Sequence, residues 1–500
     1  MLDPEACYRA LQTRDARFDG RIFVGVTSTG IYCRPVCPAR TPKRENCQFY
    51  KSAAAAHEAG FRPCLRCRPE TVLDLGSWRG TSNTVSRGLA LIAEGNLDGE
   101  AHVEALAERL GVGGRQLRRL FQQHLGASPV AVAQTRRVLF AKQLIQETQL
   151  PMAEIALAAG FGSVRRFNEV FRGLFQRSPS ALRRTMSSSV PLGSVAGSGV
   201  TVRLRYRAPY DWDAMLAHLR ARAVEGVERV VEGRYGRTIV HEGRMGSVEI
   251  RHLPAAHSLA ATIRFPSVIA LPAIVARVRH VFDLGADVAA IGKELARDPL
   301  LAPLVAARPG LRVPGAWEGF ELAARAILGQ QVSVEAGRQL AGQLVRLCGT
   351  RATAVEAADD ALTFSFPSAE QVARAALGAL RMPNSRRVAL VAAANIALAD
   401  PCFFEALDSV EETVARLRTI RGVGDWTAHY IALRAAREPD AFPASDVGLL
   451  RSAARGGAKE STSADLLERA ERWRPWRAYA AQHLWAAELR PRPRISEGSP

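Results

Sequence analysis

The sequence predicts a multidomain, mainly α chain. A small α+β unit surrounds clustered cysteines, an all-α unit carries a duplicated helix-turn-helix, and a third region places a small α+β lobe before an all-helical one. Three observations carry this reading. Cys33, Cys37, Cys64 and Cys67 form two close pairs near the N-terminus; a helix-turn pattern occurs twice between about 100 and 175; and a Ser/Gly-rich stretch at 187–199 interrupts the chain. At 500 residues the chain exceeds what one hydrophobic core organises. Lys plus Arg outnumber Asp plus Glu by 67 to 49, giving a net charge of +18 and favouring a polyanion held through its phosphates. The start Met1-Leu-Asp-Pro-Glu has neither a basic nor an apolar run and no window reaches a membrane-spanning length, so a cytoplasmic protein without membrane contact is expected.

The first unit, 1–78, is set by Cys33-x3-Cys37 and Cys64-x2-Cys67, a spacing suited to one tetrahedral Zn²⁺ held by four thiolates. Cys7, Cys47, Cys348 and Cys402 are scattered and read as small buried hydrophobes. From spacing alone the site could be a purely structural knot. Phe23-Val-Gly-Val-Thr-Ser-Thr-Gly-Ile-Tyr-Cys33-Arg-Pro-Val-Cys37 and Gly60-Phe-Arg-Pro-Cys64-Leu-Arg-Cys67 resemble the N-terminal domain of Ada-type adaptive-response proteins, over about residues 3 to 75. That resemblance implies that Cys33, bound to zinc, accepts a methyl group from a DNA methylphosphotriester. A zinc-held sulfur is a thiolate at neutral pH, the form that attacks. Losing one negative charge among Arg21, Arg34, Arg40, Lys43, Arg44, Lys51, Arg62, Arg66 and Arg68 should then strengthen DNA binding.

In the second unit, 82–186, Val103, Leu106, Ala107 and Leu110 repeat at helical spacing before Gly111, and Met152, Ile155, Ala156 and Ala159 repeat before Gly160. Each is followed by a second amphipathic segment, carrying Leu117, Leu120 and Phe121 or Phe167, Val170 and Phe171, and a run from about 130 to 146 joins the copies. Ile155-Ala-Leu-Ala-Ala-Gly-Phe161-Gly-Ser, Phe167-Asn-Glu-Val-Phe171 and Ser178-Pro resemble AraC-type regulators, in which the second helix of each pair enters the major groove. Arg115, Gln116, Arg118 and Arg119, with Ser163, Arg165, Arg166 and Asn168, are the DNA-contact candidates; the arginines could equally be a solvated face. The stretch 187–199 reads as a flexible tether.

Beyond it, Val200, Val202, Leu204 and Tyr206 alternate with polar residues, and runs near 238–240, 247–250 and 260–265 read as further strands of an α+β lobe spanning 200–290. Residues 291–490 have long helical periodicity, and 491–500 form a loose tail.

The helical lobe contains Leu417-Arg-Thr-Ile-Arg-Gly422-Val-Gly424-Asp-Trp426-Thr-Ala-His-Tyr430, with Asp446 following. Two glycines between helical runs suit a hairpin whose following amides point at a phosphate, although a bare GxG is more often an ordinary turn. Together with Tyr210-Asp-Trp212, Ala307-Arg-Pro-Gly-Leu-Arg-Val-Pro-Gly315, Arg325-Ala-Ile-Leu-Gly-Gln330 and Arg472-Trp-Arg-Pro-Trp476, this stretch resembles 3-methyladenine DNA glycosylase II, the AlkA type of the helix-hairpin-helix superfamily, from about 201 to 490.

The resemblance implies hydrolysis of the N-glycosidic bond of alkylated bases. Asp446, otherwise readable as a helix N-cap, would stabilise the oxocarbenium ion. Gly422, Gly424 and Thr427 would hold the DNA backbone, Trp426, Tyr430 and Trp485 would line the base pocket, and Gln331 would occupy the place of the duplex wedge. Read without it, Tyr430 and Trp485 could be plain core residues. Electron-rich rings are expected to favour cationic alkylated bases. His218 and Val447 stand where the family has pocket aromatics, and Gln331 where it has leucine. Trp426 stands where strand-cutting members carry a lysine, implying a monofunctional enzyme. No Pro-Cys-His-Arg occurs, so repair of O6-alkylguanine is not expected. Implied partners are double-stranded DNA with alkylated bases and methylphosphotriesters, promoter DNA and RNA polymerase, with the protein a monomer. A regulator whose third region only clamps DNA is the alternative.

Overall fold

The computed structural model describes residues 3–15, 18–67, 69, 83–98, 102–186, 199–353, 361–407, 409–455 and 462–488. The expected boundary between 78 and 82, nearly all of the 187–199 tether, the 491–500 tail and Arg68 lie outside the described residues.

The N-terminal unit runs α1 (Pro4–Gln12), β1 (Phe23–Val26), β2 (Ile31–Cys33), β3 (Cys47–Tyr50), α2 (Ala53–Glu58) and β4 (Arg62–Pro63). Both helices begin where a side chain satisfies a free amide: Asp3 accepts from the Glu5 N–H, and Ser52 from that of Ala55. The sheet order is β3-β1-β2-β4, antiparallel except for the parallel pair β2 and β4. That parallel pairing sets Tyr32 opposite Pro63, so the next residue of one strand and of the other are cysteines side by side.

The second unit is helical: α3 (Asn83–Ala93), α4 (Val103–Arg109), α5 (Gly114–Leu125), α6 (Pro129–Glu147), α7 (Met152–Ala158), α8 (Val164–Phe175) and α9 (Pro179–Met186). The duplication is present as α4–α5 and α7–α8, joined by α6, which starts at the Ser128 cap with Pro129 in its first turn. Phe167, Phe171 and Phe175 make a buried i, i+4 stripe, with ring centroids 4.7 and 5.2 Å apart. They join Val138 and Leu144 of α6, and Val202, Leu204, Ile250 and Ile274 from the next region, in one continuous core. The regulator-like unit therefore packs onto its neighbour. The contact is also polar, because Glu147 accepts from the Arg203 N–H (2.9 Å) and Gln143 donates to the Arg203 carbonyl (2.9 Å).

That next region opens with β5 (Val200–Arg205), α10 (Trp212–Arg222), β6 (Glu228–Val231), β7 (Arg234–His241), β8 (Arg244–Leu253) and β9 (Ser258–Arg264). The sheet is antiparallel in the order β5-β9-β8-β7-β6. The strands β7 and β8 run well past the apolar runs that signal them, because arginines at their ends remain in the ladder; Arg234 pairs across from Arg251. Helices α11 (Leu271–Val281), α12 (Val288–Leu295) and α13 (Ala302–Ala307) lead into α14 (Gly319–Leu328), α15 (Val334–Cys348), α16 (Ala369–Arg374), α17 (Asn384–Ala399), α18 (Val410–Arg418), α19 (Asp425–Arg434), α20 (Val447–Arg455), α21 (Ser463–Ala470) and α22 (Arg477–Glu488). Leu344, Leu390, Leu417, Ile431 and Leu484 belong to their common core. No described helix is long and apolar enough to cross a membrane.

Candidate active site and zinc centre

The four cysteine sulfurs lie within 4.8 Å of one another. No disulfide joins them; Cys37, Cys64 and Cys67 are buried and Cys33 is half-buried. Backbone N–H groups of Arg34 and Arg66 point at the Cys67 and Cys64 sulfurs, each at 3.4 Å, as suits sulfurs that carry negative charge. Four soft donors with this spacing fit one Zn²⁺. The surrounding cations are largely committed. Arg34 donates to the Cys67 carbonyl (3.0 Å) and ion-pairs with Asp19, Arg44 pairs with Glu5, and Arg21 with Asp287. Fully buried Lys142 of α6 donates to the Cys64 carbonyl (3.0 Å), and Arg207 bonds both the Asp19 carbonyl and Asp287. The centre thus touches both neighbouring units.

On the helix-turn-helix pairs, Arg115, Gln116, Arg118, Arg119, Arg165 and Arg166 are exposed and Asn168 is half-buried. Arg118 pairs with Glu104, Arg119 donates to Gln116, and Arg165 pairs with Glu169. These are surface pairs of small worth that DNA phosphates can displace. Ser163 is exposed as well and caps α8, its hydroxyl accepting from the Arg166 N–H (3.1 Å).

The glycine hairpin joins α18 to α19. Gly422 has φ +86°, and a Cβ there would sit 2.8 Å from Ala389 Cβ, so both backbone and packing demand glycine. Gly424 differs. It caps α19 in extended geometry (φ −84°), and nothing lies within 4 Å of its would-be Cβ, so it serves to keep the surface bare. Thr427 is 3% exposed and its hydroxyl accepts from Gln330 Nε2 (3.1 Å). Its side chain is therefore an anchor within the fold. Gln330 also donates to the Gly422 carbonyl (3.0 Å), tying the loop before α15 to the hairpin. On that loop Gln331 is exposed in left-handed geometry (φ 56°), beside exposed Val332 and Val334.

Asp446 unites its two possible roles. Its Oδ1 accepts from the Leu449 N–H (3.1 Å), capping α20, and from Trp485 Nε1 (2.9 Å); its Oδ2 accepts from Trp426 Nε1 (2.7 Å). Two indoles from α19 and α22 thus aim one half-buried carboxylate. Gly448 makes room for it, since a Cβ there would lie 3.0 Å from Asp446 Oδ1. Tyr430 stacks on Trp426 (centroids 5.3 Å, 11°) and meets Trp485 edge-on (6.5 Å, 71°). Trp426, Tyr430, Trp485 and Asp446 are therefore together, while exposed Val447 takes no part in the ring cluster.

Sequence reasoning missed Arg434. One turn beyond Tyr430, it is 3% exposed and lies over both the Tyr430 and Trp485 rings (5.1 and 5.2 Å), held by the Pro314 carbonyl (2.9 Å) and Gln482 (3.3 Å). The only available signal was its i, i+4 spacing from Tyr430. Burial would raise the Tyr430 phenol, but Arg434 and Arg222 outweigh it and hold the group below its ordinary range.

With this geometry in place, three family models match: the metal binding domain of Ada at residues 6–70, a helix-turn-helix domain at 106–185 and the AlkA N-terminal domain at 201–318. A Mycobacterium tuberculosis protein named as a bifunctional transcriptional activator/DNA repair enzyme AlkA is 40% identical over 97% of this chain and 96% of its own length. The chain belongs to this family. The AlkA-type part is also similar to the DNA-3-methyladenine glycosylase 2 of Escherichia coli, 36% identical over 57% of the chain and 96% of that protein. A solved 3-methyladenine DNA glycosylase from Archaeoglobus fulgidus, 20% identical, covers 57% of this chain and 97% of its own with a TM-score of 0.50, which shows the shared helix-hairpin-helix glycosylase fold. The expected resemblances to Ada-type and AlkA-type proteins, and the expected helix-turn-helix, are all found.

Proposed function

We propose that this AlkA-type family member senses alkylated DNA, binds promoter DNA and excises alkylated bases such as 3-methyladenine. The observation that carries the repair activity is the Asp446 carboxylate, aimed by two indole N–H groups beside a stacked aromatic pair and a bare glycine hairpin. The hairpin amides and Gly424 grip the backbone while the damaged nucleotide leaves the stack. As the C1′–N bond stretches, its electrons depart with the base and positive charge grows on the sugar. Asp446 stabilises that charge, and the indole bonds keep the carboxylate fixed rather than free to collapse onto solvent. Water then adds to C1′ and yields its proton, leaving an abasic site. No amine stands at position 426 to form a Schiff base, so the enzyme is monofunctional.

Cys33 is the methyl acceptor in this reading, supported by its being the one half-buried member of an otherwise buried set. When bound, Zn²⁺ would keep the four sulfurs deprotonated at neutral pH. The Cys33 sulfur forms a bond to the methyl carbon as the carbon–oxygen bond to phosphate breaks, leaving a thioether and an ordinary phosphodiester. The exposed helices α5 and α8 bind the promoter, with RNA polymerase as the partner of a monomeric cytoplasmic activator.

Duplex DNA containing 3-methyladenine should lose that base and gain abasic sites, without adducts trapped by borohydride. Duplex left intact after prolonged incubation would leave only a DNA-binding regulator. Mass spectrometry after exposure to methylphosphotriester DNA should find one added methyl group on Cys33; an unmodified Cys33 would make the zinc site structural alone.

A further inference from the structure

The glycine hairpin and the loop carrying Gln331 share one seat, the first turns of α17. Gly422 lies against that helix: a Cβ there would meet Ala389 Cβ at 2.8 Å and the Ser385 carbonyl oxygen at 4.0 Å. The residue after Ser385, Arg386, reaches the other element. Its Nη1 donates to the Leu328 carbonyl (3.4 Å) and its Nη2 to the Gln330 carbonyl (2.5 Å). These carbonyls flank Gly329, and the next residue is Gln331 in its left-handed geometry. From the other side α15 closes on the same loop, where a Cβ at Gly337 would lie 3.0 Å from Gly329 Cα. Gln330 completes the frame through its bonds to the Gly422 carbonyl and Thr427.

Arg386 is 8% exposed, and among the described residues it has no carboxylate within ion-pair distance; its bonds go to carbonyls. One of them, Leu328, ends α14, and a cation is favourable at a helix C-terminus. Capping alone is met by that bond. The second and shorter one lies beyond the helix and fixes the peptide that leads into Gln331.

A side chain that enters a duplex as a base leaves must arrive at a set distance from the phosphates gripped nearby, and a misplacement of about 1 Å can cost a hundredfold in rate. We infer that Arg386 is a positioning residue for base extrusion: it holds the loop so that Gln331 fills the gap left by the departing nucleotide while the hairpin grips the backbone. This rests on the glycosylase reading above. Arg386 acts through Gln331 and Gln330, so its contribution is to opening the duplex and not to the chemistry at Asp446.

The test measures single-turnover release of 3-methyladenine by the full chain from two duplexes, one with the base paired and one with it in a single-nucleotide bulge, where extrusion leaves no gap. For Arg386→Met, release from the paired site should fall about tenfold and release from the bulge by less than about twofold. Arg386→Lys, which still donates to one carbonyl, should recover part of the loss. In a Gln331→Ala background Arg386→Met should add less than about twofold, because both changes act on the same gap. Equal falls on the two duplexes, an unchanged paired rate, or full additivity with Gln331→Ala overturns the inference. Should Arg386→Met fail to fold, Arg386→Lys decides by the same comparison, with an expected fall of about threefold at the paired site alone. A wild type that releases the base from neither duplex would instead sink the glycosylase reading itself.

Discussion

Cys33, Cys37, Cys64 and Cys67 reach one another across two paired strands of one small sheet, whereas Asp446, Trp426 and Trp485 converge from the ends and faces of three helices far apart in sequence. The first centre is preorganised by its metal and, in the proposed reaction, is used once. The second is preorganised by packing and turns over. The difference teaches where each should fail: the first when its metal leaves, the second when its supporting hydrogen bonds or lobe packing are disturbed.

The largest expected effect follows from removing zinc. Structural zinc sites contribute on the order of 10 kcal/mol to folding, so chelation should unfold the cysteine unit and abolish methyl uptake at Cys33. Base release should persist within about threefold, because its groups lie in a separate core. Parallel loss of both activities would show that Lys142 and Arg207 couple the centres.

Gly422→Ala places a Cβ against Ala389 in left-handed backbone and should cost about 2–4 kcal/mol, read as a lower midpoint in urea. Gly424→Ala, with open space around it, should leave stability nearly unchanged but weaken binding to abasic duplex. Equal melting of the two variants would erase the distinction drawn between these glycines.

Trp485→Phe keeps a ring but deletes the N–H on Asp446 Oδ1, and base release should slow by about tenfold, with methyl uptake untouched. An unaltered rate would mean that Trp426 and the Leu449 amide suffice to aim the carboxylate.

A smaller effect depends on pH. Burial pushes His280 down to about 3 and His483 down to about 4. Both folded values lie below the unfolded value near 6.5, so the stability is fully present above that pH and declines as pH falls toward 4, where only the unfolded chain takes up the protons. Between pH 7 and 5 each should remove about 1–2 kcal/mol, and His280→Gln or His483→Gln should flatten that slope in urea titrations.

The cysteine centre was legible because both ligand pairs are local in sequence, and the duplicated helix-turn-helix because its apolar spacing repeats. Asp446 was legible only through resemblance, since an aspartate before a helix is ordinarily a cap, and here it is that as well. Beyond the i, i+4 spacing of Arg434 from Tyr430, neither Arg434 nor Gly448 carries a sequence signal of its own; tertiary packing alone gives them these neighbours. The Ser/Gly stretch suggested separation, yet the phenylalanine stripe of α8 shares a core with the sheet lobe, because an apolar helix face reveals that it will be covered but not by what.

The central claim is that one indole-held carboxylate drives excision. Asp446→Asn preserves size but removes the charge, and its single amide oxygen can accept from only one of the two indoles. Single-turnover release of 3-methyladenine from duplex should fall by about a hundredfold to a thousandfold, with the melting temperature and Cys33 methylation unchanged. A variant that releases the base at the wild-type rate would contradict the account.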